Sequence, residues 1–454
     1  MNTRELVLDM LLEVTSKQVF SHIIIKDVLD KYDYLEVQEK RFIKRLFEGT
    51  IERMIELDYI IAQYAKVKGN KMKPAIRNIL RMSIYQLLYM DSVPDSAVCN
   101  EAVKLVKKKK YHQLGGFVNG VLRTISRERS EIVYPDKEKE PVKWLSIQYS
   151  MPEWILEKWI PVYGIEAVAN MVESMLQEQP ITVRIDETCS KEEVAAVLEE
   201  WNRRGVVYTQ HSYLPYAYQL QRVDGIASYE GFQQGWYTVQ DISSMLVAEV
   251  AHVAADDCVL DVCAAPGGKT LHIATKLKAL NGHGTVEARD VSQIKCDYIE
   301  ENRCRLQLTN VTTRVADARV YEKQLKETVD LVIADVPCSG LGVMGKKRDI
   351  KYHMNPAQIA EIVQLQRQIM SVVKEYVKVG GTLLYSTCTI NPEENEEMVA
   401  WLVSEGGFEL EAIDSYLPEC LHSDTTQLGY LQLVPSVQES DGFFLARLRR
   451  IEEG

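Results

Sequence analysis

The 454-residue sequence has no apolar run of the roughly 18 residues that a membrane span needs, and Met1-Asn2-Thr3-Arg4-Glu5 lacks a signal-peptide pattern. A membrane protein and a secreted one are both disfavoured, and a cytoplasmic location is expected. The sequence also lacks any Cys-x-x-Cys pair, so its nine cysteines read as reduced thiols rather than a disulfide framework or a zinc site, and no metal is expected. Internal repeats and low-complexity segments are absent. So is an excess of basic charge: the net charge of -12 runs against a simple nucleic-acid binder, whose affinity comes largely from neutralising phosphates.

What is present is a globular composition, 46% hydrophobic and 26% charged, at a length that suggests roughly three domains. The basic residues are unevenly spread. Lys66, Lys68, Lys71, Lys73, Arg77, Arg81, Lys104, Lys107 to Lys110, Arg123, Arg127 and Arg129 all fall in the first third. Such clusters read either as a solvated charged surface or as a docking face for RNA.

Residues 1 to about 130 carry helical periodicity throughout. Thr3 is placed to cap a helix with Leu6, Met10 and Val14 on one face, and Pro74 opens another that carries Ile76, Ile79, Leu80, Ile84, Leu87 and Leu88. Ser126 to Pro141 is charged, contains two prolines and reads as a linker. From about 142 to 235 the pattern is mixed: helical runs around Trp154 and Val168, a strand Ile181 to Ile185, a helix opened by the capping box Ser190-Lys191-Glu192-Glu193, and short strands near Val206 and Tyr218. From about 236, strands alternate with helices: Cys258 to Val262, Gly284 to Ala288, Val311 to Val315, Val329 to Ala334 and the run ending at Cys388, with a long helix from Pro356 to Val379 and a closing strand Gly442 to Leu448. That alternation predicts an α/β, doubly wound parallel sheet.

Three segments of this last region carry chemistry. Asp261-Val262-Cys263-Ala264-Ala265-Pro266-Gly267-Gly268-Lys269-Thr270 places glycines after a first strand, where backbone can approach a ligand and a following helix presents free N–H groups. A Walker loop is excluded because Cys263 stands where its leading glycine is needed, and Gly-x-Gly-x-x-Gly is missing as well. S-adenosylmethionine remains. It needs a carboxylate after the second strand for its ribose, for which Asp290 is placed, while Asp317 is expected on the adenine side and Asp335 at the methionine end and the reacting base; each alone reads equally as a helix cap or surface residue, but three at successive strand ends favour the site. The other two segments, Asp335-Val336-Pro337-Cys338-Ser339-Gly340 and Tyr385-Ser386-Thr387-Cys388-Thr389, each end a strand-like run with a cysteine. Neighbouring strands lie about 4.8 Å apart, so two thiols at such ends can reach one planar substrate; they can equally be buried cysteines.

DVCAAPGGKT, ADVPCSG and YSTCTINPEEN resemble the motifs of the RNA cytosine-5 methyltransferases of the Sun/Fmu family, as do Gln240-Asp241-Ile242-Ser243-Ser244 and Asp441-Gly442-Phe443-Phe444. The first 130 residues resemble the NusB-like RNA-binding domain fused to the bacterial 16S ribosomal RNA enzymes of that family. The resemblance implies an all-α NusB-like domain (1–135), a small α+β RNA-binding or linking domain (142–235) and a Rossmann-like class I methyltransferase domain (236–454). It further implies Cys388 as nucleophile, Cys338 as the residue that helps release product, and Cys263, Ala264, Ala265, Pro266, Gly267, Gly268, Lys269, Asp290, Asp317 and Asp335 as contacts to S-adenosylmethionine. The expected partner is 16S ribosomal RNA, with no membrane, no obligate protein partner and a monomeric enzyme. Two departures stand out: polar residues in Val286-Glu287-Ala288-Arg289-Asp290, and the loop Lys346-Lys347-Arg348-Asp349, whose relation to RNA the pattern leaves open.

Two thiols suit cytosine because its carbon 5 is a poor nucleophile, and thiolate addition at carbon 6 splits one hard step into two easier ones. The carbon-5 proton must then leave, for which Cys338 is a candidate base, with Asp335 binding N3 and the amino group. An amino-group methyltransferase would instead show Asp/Asn-Pro-Pro-aromatic where Asp335-Val336-Pro337-Cys338 stands, and a non-catalytic RNA-binding factor would need neither thiol.

Overall fold

The computed structural model of the chain describes residues 2–67, 69–177 and 179–451. Lys68, one of the basic residues named above, lies outside them, as do Met1, Glu178 and residues 452–454. The chain divides into two units, Met1–Gln177 with Met344–Pro356, and Glu178–Val343 with Ala357–Gly454.

The first unit is built from α1 (Thr3–Lys17), α2 (Ser21–Lys31), α3 (Val37–Glu52), α4 (Met54–Tyr64), α5 (Pro74–Tyr89), α6 (Asp95–Lys108) and α7 (Gly115–Arg127), followed by helices Pro141–Gln148, Glu153–Tyr163 and Ile165–Ser174. Helix α5 buries Ile76, Ile79, Leu80, Met82, Ile84 and Leu87, residues that cover more than one face. Only a surrounded helix can satisfy that pattern, and α1, α3, α4, α6 and α7 pack around it. Its buried polar residues are matched: Arg81 donates to both oxygens of Asp58 at 2.6–2.7 Å, and Gln86 accepts from Arg4 at 2.8 Å.

Two expectations need correction in this unit. Asn2, not Thr3, caps α1, because its side-chain oxygen accepts from the N–H groups of Arg4 and Glu5 while Thr3 is already helical. The expected linker is strapped down: Tyr134 donates to Glu56 at 2.7 Å, and Val133 exchanges hydrogen bonds with the Gln63 side chain. Many of the basic residues are also paired, Lys104 with Glu101, Lys108 with Glu5, Lys109 with Asp9 and Arg127 with Glu128. Exposed pairs of this kind are worth only about 0–1 kcal/mol, so a phosphate can exchange for the carboxylate at small cost.

The second unit contains two sheets. The smaller runs β2 (Val207–Gln210), β3 (Ala217–Gln221), β1 (Ile181–Ile185), β4 (Tyr237–Val239), all antiparallel, with Trp201 of the helix Lys191–Arg203 buried against it. The capping box at Ser190 and Glu193 forms as expected. The larger sheet has the order β10-β12-β9-β8-β5-β6-β7, with strands at Phe408–Leu410, Phe443–Arg450, Val377–Thr387, Val329–Asp335, Cys258–Asp261, Thr285–Asp290 and Val311–Val315 in that order, and β11 (Tyr430–Leu433) beside β12. Its five strands from β9 to β7 are parallel, whereas β12 pairs antiparallel with β9 and β10 pairs antiparallel with β12. In β8 the side chains alternate, Leu331 and Ile333 entering one core while Val332 and Ala334 enter the other. A strand buried on both faces reads as an unbroken apolar run, which is why its sequence carried no polar alternation. The long helix stops at Val373 rather than Val379, and residues 377–379 belong to β9.

The polar residues of β6 also find a reason. Arg289 is buried, with ion pairs to Glu287 at 2.6 Å and Glu322 at 3.0 Å, so the departure from an apolar strand is a closed charge layer.

Candidate active site

Every candidate site residue sits at the carboxyl end of the parallel strands, where ligands bind in open α/β sheets. Strands β8 and β9 are neighbours with Asp335 opposite Ser386, so the turns that follow them leave the sheet side by side. The Sγ atoms of Cys338 and Cys388 lie 3.1 Å apart, and the Cys388 N–H donates to Cys338 Sγ at 3.3 Å. Both thiols thus face one point. The Cys338 thiol is pushed well above the usual thiol range, first by its hydrogen bond to Cys388, then by burial and by the charges of Cys388, Glu394 and Asp335. It is held as a neutral thiol.

The turns are held from beneath by a buried carboxylate. Glu394 is fully buried and accepts from the Ser339 N–H (2.8 Å), Ser339 Oγ (2.5 Å), Gln366 Nε2 (3.1 Å) and Asn391 Nδ2 (3.0 Å). Asn395 adds a second tie, accepting from Thr387 Oγ1 at 2.6 Å and donating to the Thr389 carbonyl at 3.0 Å. A buried charge is tolerated only when its acceptor sites are filled, and these are. Gly342 completes the floor: its N–H donates to the Cys388 carbonyl at 3.1 Å, and a Cβ there would lie 1.9 Å from the Gly442 carbonyl oxygen.

Asp335 ends β8 with Oδ2 accepting from Lys269 Nζ at 2.6 Å and Oδ1 from Ser386 Oγ at 2.9 Å. Burial favours a neutral Lys269, but the charge and hydrogen bond of Asp335 outweigh it, so the ammonium is held above its ordinary range. In the glycine-rich loop, Gly267 adopts φ +105°, a conformation that favours glycine, and so opens the helix Gly268–Ala279. Asp290 ties that loop to β6: it accepts from the N–H groups of Ala265 (3.2 Å) and Val291 (2.7 Å) and pairs with Lys295 at 3.0 Å. Asp317, past β7, is held by Arg319 and lowered by that hydrogen bond. Cys263 is pushed up by burial and by Asp261, Asp290 and Asp335, so its thiol is inert.

Sequence reasoning missed Glu394, Ser386 and Asp261. The first lies in an acidic run that looks solvent-exposed. Asp261 was visible as the charged end of an apolar strand; it is buried and accepts from Thr270 Oγ1 at 2.6 Å, which locks β5 to the following helix. Burial is the larger influence and raises its carboxyl from 3.8 up to about 7. The folded state therefore binds this proton more tightly than the unfolded chain, a contribution present below about pH 3.8 and lost as pH rises through about 7. Asp261→Asn, which cannot ionise, is expected to be less sensitive to that rise than the parent by at most about 4 kcal/mol, read from denaturant unfolding at both ends of the range. Equal pH slopes for the two proteins would contradict the shift.

The donor set suits S-adenosylmethionine. Three carboxylates converge near Cys263, which favours a cationic sulfonium and its α-ammonium, and the exposed apolar side chains Val291 (59%) and Ile294 (67%) beside Asp290 offer a face for adenine. Glycine loop, carboxylates at successive strand ends and a seven-stranded path of mostly parallel β together define an S-adenosylmethionine-dependent methyltransferase. Comparison with known proteins narrows this. Residues 248–449 match the family model for the 16S rRNA methyltransferase RsmB/F, residues 1–127 the NusB family, and residues 151–225 the ferredoxin-like domain of RsmF/B-like methyltransferases. The chain is 34% identical over 99% of both lengths to a probable ribosomal RNA small subunit methyltransferase B of Bacillus subtilis (strain 168), and 31% identical over 90% of both to ribosomal RNA small subunit methyltransferase B of Cronobacter sakazakii. The chain belongs to this family of 16S rRNA methyltransferases. Its fold is also that of PH0851 (TM-score 0.81, 23% identity, 99% of both chains) and, over 66% of this chain and 99% of the other, of NSun6 from Pyrococcus horikoshii with SFG (TM-score 0.57, 21% identity).

Proposed function

We propose that the chain methylates carbon 5 of a specific cytosine in 16S ribosomal RNA through a covalent adduct between Cys388 and carbon 6. The observation that carries this reading is the 3.1 Å separation of two sulfurs beside Asp335 and the cofactor loop. Bound S-adenosylmethionine supplies an electrophilic methyl group; Asp290 would hold its ribose, Asp317 its adenine side, and Cys263 to Lys269 its methionine end.

The Cys388 thiolate forms the S–C6 bond, and the C5–C6 π electrons move into the ring while N3 takes a proton from the Lys269–Asp335 pair. Asp335 accepts from the exocyclic amino group and fixes the ring over the thiols. Carbon 5, now electron-rich, takes the methyl group. Cys338, as its thiolate, then removes the carbon-5 proton, the C5–C6 double bond re-forms, the S–C6 bond breaks to return the Cys388 thiolate, and N3 gives its proton back to the Lys269–Asp335 pair. The largest influence that raises the Cys338 thiol is its hydrogen bond to Cys388. Once Cys388 is a thioether that bond and charge are gone, so Cys338 ionises more readily at the step that needs a base.

Taking the cytosine out of its stack costs on the order of a few kcal/mol, which contacts from the NusB-like helices would offset. Every reacting group lies in one chain, so a monomer suffices, and ribosomal RNA as substrate makes the cytoplasm its place of action. The test is 16S rRNA carrying tritium at cytosine carbon 5. One tritium released per methyl transferred is expected; methyl transfer without release would overturn carbon 5 as the target and favour an amino group.

A further inference from the structure

Gln240 stands just past β4 and is 5% exposed. Asp241 beside it has a local task, accepting from the Ser243 N–H at 3.0 Å to cap the helix Ile242–Ala251. Gln240 is instead held twice by β1: its N–H donates to the Thr182 carbonyl at 3.1 Å, and its Oε1 accepts from Arg184 Nε at 2.9 Å. Arg184 is itself 1% exposed. A guanidinium only donates, so this bond fixes the amide oxygen toward Arg184 and turns the amide nitrogen the other way. Nε2 has no hydrogen-bond partner among the described residues. Folded proteins seldom bury a donor without an acceptor, and here a second buried side chain holds that donor in place.

The amide lies over the cofactor loop. A Cβ at Gly268 would meet Gln240 Nε2 first, at 3.9 Å. Gly268 opens the helix Gly268–Ala279, whose N-cap, Gly267, has no side chain to offer, and the N–H groups of Gly268, Lys269 and Thr270 have no partner among the described residues. Unpaired N–H groups at a helix N-terminus beside an unpaired amide suit an anion. S-adenosylmethionine carries one, the carboxylate of its methionine end. That carboxylate shares a carbon with the α-ammonium, so it must lie close to the acidic groups of Asp261, Asp290 and Asp335 around Cys263 without facing them. The cations there are already committed, Lys269 to Asp335 at 2.6 Å and Lys295 to Asp290 at 3.0 Å. Neutral N–H donors must therefore hold it.

We infer that Gln240 binds the carboxylate of S-adenosylmethionine through Nε2, together with the first N–H groups of the helix Gly268–Ala279, and that Arg184 is the positioning residue that aims the amide. The small sheet thereby takes part in holding the cofactor through β1. The inference rests on the placing of the methionine end at Cys263 to Lys269 proposed above.

The test is calorimetric titration of the full-length chain with S-adenosylmethionine and with decarboxylated S-adenosylmethionine, which lacks only this carboxylate. Glutamate is nearly isosteric with glutamine and keeps an oxygen toward Arg184, but it puts an acceptor where the donor stood. Gln240→Glu is expected to weaken S-adenosylmethionine by about 10- to 100-fold, the usual worth of a hydrogen bond to a charged group, while the decarboxylated cofactor binds no more weakly than to the parent. Gln240→Met, which loses the donor without adding charge, is expected to show the same selective loss to a smaller extent, and it carries the comparison if the glutamate variant does not fold. Arg184→Met, which lets the amide turn over, should also reduce the preference for the carboxylate, but add nothing in the Gln240→Met background. Both ligands weakened alike by the Gln240 variants, or neither weakened, would overturn the inference and leave Gln240 a structural tie, with the parent's preference for the carboxylate intact. A parent that binds the two ligands equally would overturn it together with the placing of the methionine end.

Discussion

Cys388→Ala is expected to lower methyl transfer to 16S rRNA by about 10⁴-fold or more, equivalent to about 5 kcal/mol of transition-state stabilisation. Without a sulfur at this position carbon 5 stays a poor nucleophile, and the neighbouring Cys338 is held as a neutral thiol. Cys388 is only partly buried, and its backbone contacts run through its N–H and carbonyl, which alanine retains. The variant should therefore fold and bind cofactor as the parent does. Transfer of a radiolabelled methyl group, alongside cofactor titration, checks both halves. Retention of a tenth of the parent rate would remove Cys388 from the nucleophile's role.

Cys338→Ala has the other large effect, of a different kind. Addition and methyl transfer need only Cys388, so a first turnover should proceed, but the carbon-5 proton has lost its base. Turnover is expected to fall by about 10²–10⁴-fold, the usual worth of a positioned base, while protein covalently attached to RNA accumulates. A denaturing gel shows this as a slower band that disappears on nuclease treatment. An adduct seen with Cys388→Ala and not with Cys338→Ala would exchange the two roles.

Much of this site was legible in the sequence because strand ends are legible. Mostly apolar runs at Val329 to Ala334, interrupted by Asp330, and Gly381 to Tyr385, interrupted by Thr382, mark strands buried on both faces, and the residues that follow such a run emerge at the sheet's edge; Asp335, Cys338 and Cys388 were readable on that ground. The aspartates at 290 and 317 follow the same logic. What stayed hidden depends on contacts between distant segments. Glu394 sits in Pro392-Glu393-Glu394-Asn395, an acidic run like many exposed ones, and nothing local reveals that Ser339, Gln366 and Asn391 converge on it. Lys346-Lys347-Arg348-Asp349 is a basic loop whose relation to RNA its pattern leaves open, yet the partners of Arg348 and Asp349 lie about three hundred residues earlier. The strands β10 and β11 are three and four residues long, too short for a periodicity to register. The strand β12 was visible, but its antiparallel insertion beside β9 was not, since direction leaves no mark on alternation.

The choice between Asn2 and Thr3 as cap shows a finer limit. Both residues favour that position, and they are adjacent; the winner is set by which one keeps extended backbone, at Asn2 ψ 112°.

The central claim, that Cys388 is the sulfur bonded to the base, is tested most directly by mass spectrometry of the adduct trapped on Cys338→Ala protein. After nuclease and protease digestion, a methylated cytidine should be found on the peptide containing Cys388. The same mass on any other peptide, or no adducted peptide from a protein that still methylates its RNA, would contradict the account.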